Sequence, residues 1–209
     1  MNYDKQIIIE TETFIRENTE SMAGIFFINQ LEYASYPEVN ELYSVAIYKK
    51  YPKNIHVQKY HEKIKSEMKM GIGKPAPDIT LPDTSGVERS LSDYKGKVVI
   101  IDFWASWCGP CRKDVPHMKS LYSKYHEKGL EVFAVSLDKT EGAWKGYIIK
   151  ENLPWVHVSD LKGWGSIGAK IYGVSSIPHL VLIDQKGNLV ARNIRGADLD
   201  NKLKAIFGF

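Results

Sequence analysis

The period of the apolar positions changes once along the chain, near Gly71. Before that point apolar residues recur in steps of three and four, the spacing of a helix face. Val57, Tyr60, Ile64 and Met68 form one such stripe. In the segment that starts near Pro37, Leu42, Val45 and Ala46 share one face, and Tyr43, Ile47 and Tyr51 another. Two further helices are expected, over 4–17 and, after a Ser21 cap, over 22–34. Tyr51-Pro52-Lys53-Asn54 separates the third helix from the fourth, because proline cannot donate to the ladder and restricts its predecessor. Beyond Gly71 the pattern alternates between strand and helix. Residues 79–81 and 87–90 flank Asp83-Thr84-Ser85-Gly86 as a hairpin. The β-branched run 98–103 fits a strand covered on both faces. Helix 111–127, strand 131–136, helix 142–151, strand 155–158, helix 166–172, strands 180–184 and 189–194, and a helix from Asp198 complete the order.

This order predicts a small all-helical module over 1–70 and an α/β domain over 71–209, with a mixed central sheet and helices on its faces. Two helical hairpins are too few for a self-supporting solenoid, so the first module is expected to pack as a unit. Gly71-Ile72-Gly73-Lys74-Pro75-Ala76-Pro77, with two glycines and two prolines, reads as an extended connector.

The chain has 209 residues, of which 44% are apolar, ample for a packed core. Its 28 basic and 25 acidic residues leave a net charge of +3, with no basic block that would mark a nucleic-acid partner. No apolar run is long enough to cross a bilayer. Met1-Asn2-Tyr3-Asp4-Lys5 lacks the features of a signal peptide. That start implies either a cytoplasmic protein or a chain that begins downstream of its natural start.

Both cysteines of the chain lie in one motif, Trp107-Cys108-Gly109-Pro110-Cys111, at the junction of the expected strand and helix. A sulfur at a helix N-terminus meets unpaired N–H groups and the positive end of the macrodipole, which favour a thiolate. Cys108 is therefore expected to be the exposed nucleophile. Cys111, one turn on, is expected to be the buried thiol that attacks the mixed disulfide and releases the substrate. A structural zinc would need four ligands, and only His117 and His126 lie near in sequence. Haem attachment would need histidine where Arg112 stands. A peroxidatic cysteine is expected in Pro-x-x-x-Thr-x-x-Cys, whereas Ile101 and Ala105 occupy those places. No metal or other cofactor is expected beyond a redox-active Cys108–Cys111 disulfide.

The segment Val99-Ile100-Ile101-Asp102-Phe103-Trp104-Ala105-Ser106-Trp107-Cys108-Gly109-Pro110-Cys111 closely resembles the active-site segment of thioredoxins. Gly73-Lys74-Pro75-Ala76-Pro77-Asp78, Leu91-Ser92-Asp93-Tyr94-Lys95-Gly96-Lys97, Tyr172-Gly173-Val174-Ser175-Ser176-Ile177-Pro178 and Leu182-Ile183-Asp184-Gln185-Lys186-Gly187 extend the likeness to the TlpA/ResA branch of that superfamily. The resemblance covers about residues 71–209 and implies a thioredoxin-like fold. The helical leader is similar to segments that precede such domains in Bacteroidetes-type members. By the same resemblance Pro178 is the cis-proline facing the dithiol, although residue chemistry alone favours a trans bond. Ile177 would offer backbone groups to a substrate peptide as an added strand does. Trp107, with Gly109 and Pro110, would flank the substrate, and Pro116 would bend the active-site helix.

Two carboxylates are candidates for proton transfer. Asp102 stands in an apolar run, where a carboxylate is costly unless protonated or paired, so its pKa should be raised. The matching aspartate of thioredoxins helps deprotonate the resolving cysteine; a strand-end aspartate bonded to backbone is the plainer alternative. Asp114 occupies the place of a functional glutamate in ResA-like proteins, but a first-turn acid also complements the helix dipole. Trp144, Trp155 and Trp164 read as core aromatics. His179 replaces the threonine usual after the cis-proline and reads as filling an edge position. Arg192 and Arg195 read as a solvated face.

The resemblance implies an enzyme that reduces protein disulfides and is regenerated by an electron-donating thiol reductase. Its alternatives are a dedicated reductant of apocytochrome c, or a redox-sensing module that binds a partner. It also implies a periplasmic or membrane-anchored setting, with an upstream export signal or tether outside this chain.

Overall fold

The computed structural model describes residues 3–208 apart from 32, 34 and 35. The chain divides into two compact units, Met1–Gly71 and Ile72–Phe209.

Among the described residues the first unit is helical: α1 (Tyr3–Glu17), α2 (Gly24–Ile28), α3 (Pro37–Lys50) and α4 (Ile55–Lys69). Pro37 opens α3 where a missing N–H costs nothing. The stripes meet as periodicity requires, with Ile15, Ile28, Tyr43, Ile47, Val57, Tyr60 and Ile64 in one core. The Leu42–Val45 face of α3 stays exposed. A polar pin crosses that core: Asn40 donates to the carbonyls of Leu31 and Tyr36 and accepts the Tyr60 hydroxyl at 3.0 Å. The expected helix over 22–34 is much shorter. After Ile28, Gln30 and Leu31 donate to carbonyls only three residues back, as turns do, and exposed Phe26 and Phe27 leave no stripe to extend. Its expected end, Ala34, lies outside the described residues. Ser21 is not the cap, which is Ala23; the Ser21 hydroxyl accepts the Ala23 N–H at 3.3 Å ahead of the helix. At the end of α4, Met68 is exposed and Met70 is buried instead.

The second unit opens with the hairpin β1 (Thr80–Pro82) and β2 (Glu88–Ser90). A 3₁₀ turn over Leu91–Tyr94 follows, closed by reciprocal bonds between Ser90 and Asp93. Then come β3 (Val98–Trp104), α5 (Gly109–Tyr125), β4 (Leu130–Ser136), α6 (Glu141–Glu151) and β5 (Val156–Val158). The chain ends with α7 (Ile167–Ile171), β6 (His179–Ile183), β7 (Leu189–Arg192) and α8 (Gly196–Phe207). The sheet order is β5-β4-β3-β6-β7, with β3, β4 and β5 parallel and β6 and β7 antiparallel to their neighbours. It is the expected mixed sheet with helices on its faces.

The central strand β3 is covered on both sides, as its unbroken apolar run requires. Side chains alternate across a strand, so Asp102, Ala134 and His157, aligned across β3, β4 and β5, share one face. Cys111, Val115 and Met118 of α5 close over Asp102 on that face. Val135 points the other way, to α7, where a Cβ at Gly168 would lie 3.2 Å from it. The segment expected as an extended connector is in part bonded to the sheet. Gly73 donates to Leu189, Leu189 to Lys74, and Ala76 to Gly187. Arg192 is not a simple solvated cation: it is half-buried and donates to the Tyr172 carbonyl at 2.9 Å. Strand β7 stops at Arg192, short of 194, because Asn193 turns to a left-handed φ of 51°.

Candidate functional site

Strand β3 delivers the chain at its C-terminal end into Ala105-Ser106-Trp107-Cys108, and Cys108 is the N-cap of α5. The turn is held from beneath by Asp138, which is fully buried just beyond β4. Its carboxylate accepts the Ser106 N–H at 2.9 Å, the Ser106 hydroxyl at 2.6 Å and the Ser136 hydroxyl at 2.8 Å. The Cys108 N–H donates to Ala105, and the Leu137 N–H to Trp104. The sequence reading did not single out Asp138. The parallel register that sets Trp104 beside Ser136 is the signal that places an acid two residues on below the turn.

Cys108 and Cys111 form a disulfide across the first turn of α5. The Cys108 sulfur accepts the Cys111 N–H at 3.2 Å, so the helix end has a donor aimed at the first sulfur. In this state Cys108 is not the exposed member expected from its position. Its residue is 4% accessible and Cys111 5%, because Trp107, Gly109 and Pro110 stand up around the pair. The two sulfurs differ by what lies behind them rather than by exposure. Pro116 sits inside α5, where its missing N–H leaves the Arg112 carbonyl without its intrahelical donor.

Behind Cys111 lies a cavity of about 20 Å³, room for one water molecule. Asp102, Cys111, Asp114 and Pro178 line it together with Trp155 and Leu180. Both candidate carboxylates thus reach one space. Burial, and after it the negative charge of Asp114, pushes the Asp102 carboxyl up to about 7. The Asp102 backbone belongs to the β3 ladders with β4 and β6, while its side chain lines the cavity. The Ile177–Pro178 peptide bond is cis. Pro178 is buried beside Cys111, and Ile177 is half-buried next to it. His179 packs edge-on against Phe103 at 6.2 Å.

The shared face behind α5 is rich in aromatics. His157 lies between Trp104 and Trp155, at 5.6 and 5.9 Å. Neither of its ring nitrogens has a hydrogen-bond partner among the described residues, and burial pushes its pKa down to about 3. Trp144 and Trp155 are core residues as expected, but Trp164 is 47% exposed. Its ring stands 6.5 Å from that of Trp107. The two histidines near the motif serve other contacts, His117 with Asp200 at 2.7 Å and His126 with the Leu130 carbonyl.

Comparison with known proteins bears on the same region. The profile of the AhpC/TSA family matches residues 72–192. The thiol-disulfide oxidoreductase ResA of Bacillus cereus is 39% identical over 145 residues, 69% of this chain and 82% of that protein. The thioredoxin domain of a thiol-disulfide oxidoreductase from Bacteroides vulgatus superposes with a TM-score of 0.60 at 36% identity, over 65% of this chain and 96% of that one. A thiol-disulfide oxidoreductase from Bacteroides fragilis gives 0.60 at 34% identity, over 63% and 98%.

Proposed function

We propose, from the fact that this chain belongs to the AhpC/TSA family and is a thiol–disulfide oxidoreductase, that its reaction is the reduction of protein disulfides by the Cys108–Cys111 dithiol. The observation that carries the reading is the asymmetry across α5. The Cys111 N–H at the helix end faces the first sulfur, and a carboxyl raised to about 7 lies behind the second.

In the reduced protein the Cys108 thiolate attacks one sulfur of the substrate disulfide, forming a mixed disulfide and expelling the other substrate sulfur as a thiolate. Cys111 then gives its proton to Asp102 and attacks Cys108. The internal disulfide forms, and the second substrate sulfur leaves and takes up a proton. The substrate has gained two electrons and the protein has lost two, so a thiol donor must reduce the Cys108–Cys111 bond before the next cycle. Asp102 suits the proton step because a group titrating near 7 both accepts and returns a proton at neutral pH. Asp114 tunes it, since its charge helps raise the Asp102 carboxyl. Trp107, Gly109, Pro110 and the Ile177–Pro178 backbone form the lips against which the substrate segment lies.

Reduction of insulin by the full chain with dithiothreitol tests the reading. Cys108→Ser should abolish it, and Cys111→Ser should accumulate a mixed disulfide. Asp102→Asn should leave attack intact and slow resolution roughly a hundredfold near neutral pH. Turnover that survives Cys108→Ser sinks the assignment; a wild-type resolution rate in Asp102→Asn with a stall in Asp114→Asn moves the proton to Asp114. The resemblance to ResA-like proteins also supports an extracytoplasmic site of action and the narrower substrate apocytochrome c. Loss of c-type cytochromes on deleting the gene would single out that substrate. Among the described residues no helix is long and apolar enough to cross a membrane.

A further inference from the structure

Trp164 is a large apolar side chain kept in water by a loop built to hold it there. The loop departs from β5 at Ser159, which is anchored by its hydroxyl to the Ser136 carbonyl at 3.1 Å and by its N–H to Pro82. The Ser159 hydroxyl accepts the Leu161 N–H, and the Asp160 carboxylate accepts the N–H groups of Lys162 and, at 2.9 Å, Ile167. Leu161 adopts a left-handed φ of 53°, a conformation that costs a branched residue and persists only where the surroundings impose it. Gly163 follows at 57°, with the Lys139 side chain lying where its Cβ would be, 2.8 Å away. A single 3₁₀ turn over Gly163–Gly165 then lifts Trp164 out at 47% accessibility. Trp107, 56% accessible, is the residue before Cys108. The two rings stand 6.5 Å apart and inclined at 58°, an open V rather than a closed stack.

We propose that Trp107 and Trp164 form a two-indole clamp that selects polypeptide substrates with an aromatic side chain next to the reacting cysteine. The proposal rests on the reductase reading above and supplies its substrate class. The clamp is continuous with the dithiol. Once a substrate sulfur is bonded to Cys108, the substrate chain is held beside Trp107, the residue next to Cys108 in the chain and exposed. A planar side chain there covers both indoles and removes apolar surface of all three from water. A small disulfide such as oxidised glutathione places no such group on the clamp. The burial of both cysteines in the disulfide state favours the same occupant, since an extended segment reaches a recessed pair more readily than a flat protein surface does.

The test is single turnover of the reduced full chain with two symmetric disulfide-linked peptides, identical except that phenylalanine or serine follows the cysteine. Oxidised glutathione serves as a third probe. Wild type should react about tenfold faster with the phenylalanine peptide. Trp164→Ala should bring that ratio close to one, with the loss in the half-saturating peptide concentration rather than in the limiting rate, while Trp164→Phe retains a preference. Ile149→Ala, which truncates an exposed residue of α6 outside the clamp, should keep the wild-type ratio. Equal wild-type rates on the two peptides overturn the clamp, as does a wild-type ratio in folded Trp164→Ala. Reduction of all three probes at one rate defeats the clamp alone. Failure to reduce any of them defeats the reductase reading and the clamp with it.

Discussion

A carboxyl shielded from water and set beside a second acid keeps its proton to higher pH, and this makes Asp102 a destabilising group at neutrality. Its folded value of about 7 lies above the ordinary 3.8, so the unfolded chain ionises first. Stability contributed by the neutral form is complete below about pH 4 and is lost as pH rises to 7, then stays level. The loss is a few kcal/mol, at most about 4. Asp102→Asn should therefore melt above wild type at pH 8, with the gap closing toward pH 4, when both are followed as disulfides by calorimetry. A gap that does not change with pH would show that Asp102 is not the group titrating. Asp138 has a structural task, since its carboxylate accepts three hydrogen bonds under the turn that carries the dithiol. Asp138→Ala leaves those donors buried and unpaired, and should cost about 2–4 kcal/mol in denaturant unfolding and slow insulin reduction. An activity loss without a stability loss would mean that Asp138 does more than hold the turn.

At the scale of elements, α2 meets α3 at a point with no spare room. A Cβ on Gly24 would stand 2.5 Å from the Tyr43 ring, whose hydroxyl is fixed to the Ser21 carbonyl at 2.7 Å. Gly24→Ala should lower the stability of the helical unit by about 1–3 kcal/mol, seen as earlier loss of amide protection in 3–70 than in 72–208. Uniform loss across both units would show that they unfold together. The close approach was invisible in the sequence, because it depends on which helices pair. The strand and helix that carry the dithiol were legible from the β-branched run of β3 and the motif at its end. Where period and burial part company the sequence misleads. Phe26 and Phe27 look like core and stay in water, and so does Trp164. Asp102 was legible as an acid in an apolar run, whereas Asp138 acts through the register of two strands and leaves no local mark.

For the molecule as a whole, the sheet's two outermost strands matter for what the chain avoids. The outer side of β5 is met by the hairpin, through an Asp83–Val158 bridge and the Ser159 N–H on Pro82. The start of β7 is met by Gly73–Ala76, through the bonds to Gly187 and Leu189. A strand with unpaired N–H and C=O groups is a template for another chain, and both ends of this sheet are in part occupied from within. Gly73–Ala76, within the segment read from sequence as a connector, are therefore expected to guard that edge against self-association. A fragment of 72–209 should stay monomeric in sedimentation at concentrations where 78–209, stripped of the strap, forms dimers and larger species. Equal behaviour of the two would leave Gly73–Ala76 as a tether and nothing more. If 78–209 alone associates, shelf life and expression yield are decided at Lys74 and Ala76, far in sequence from the cysteines that give the protein its chemistry.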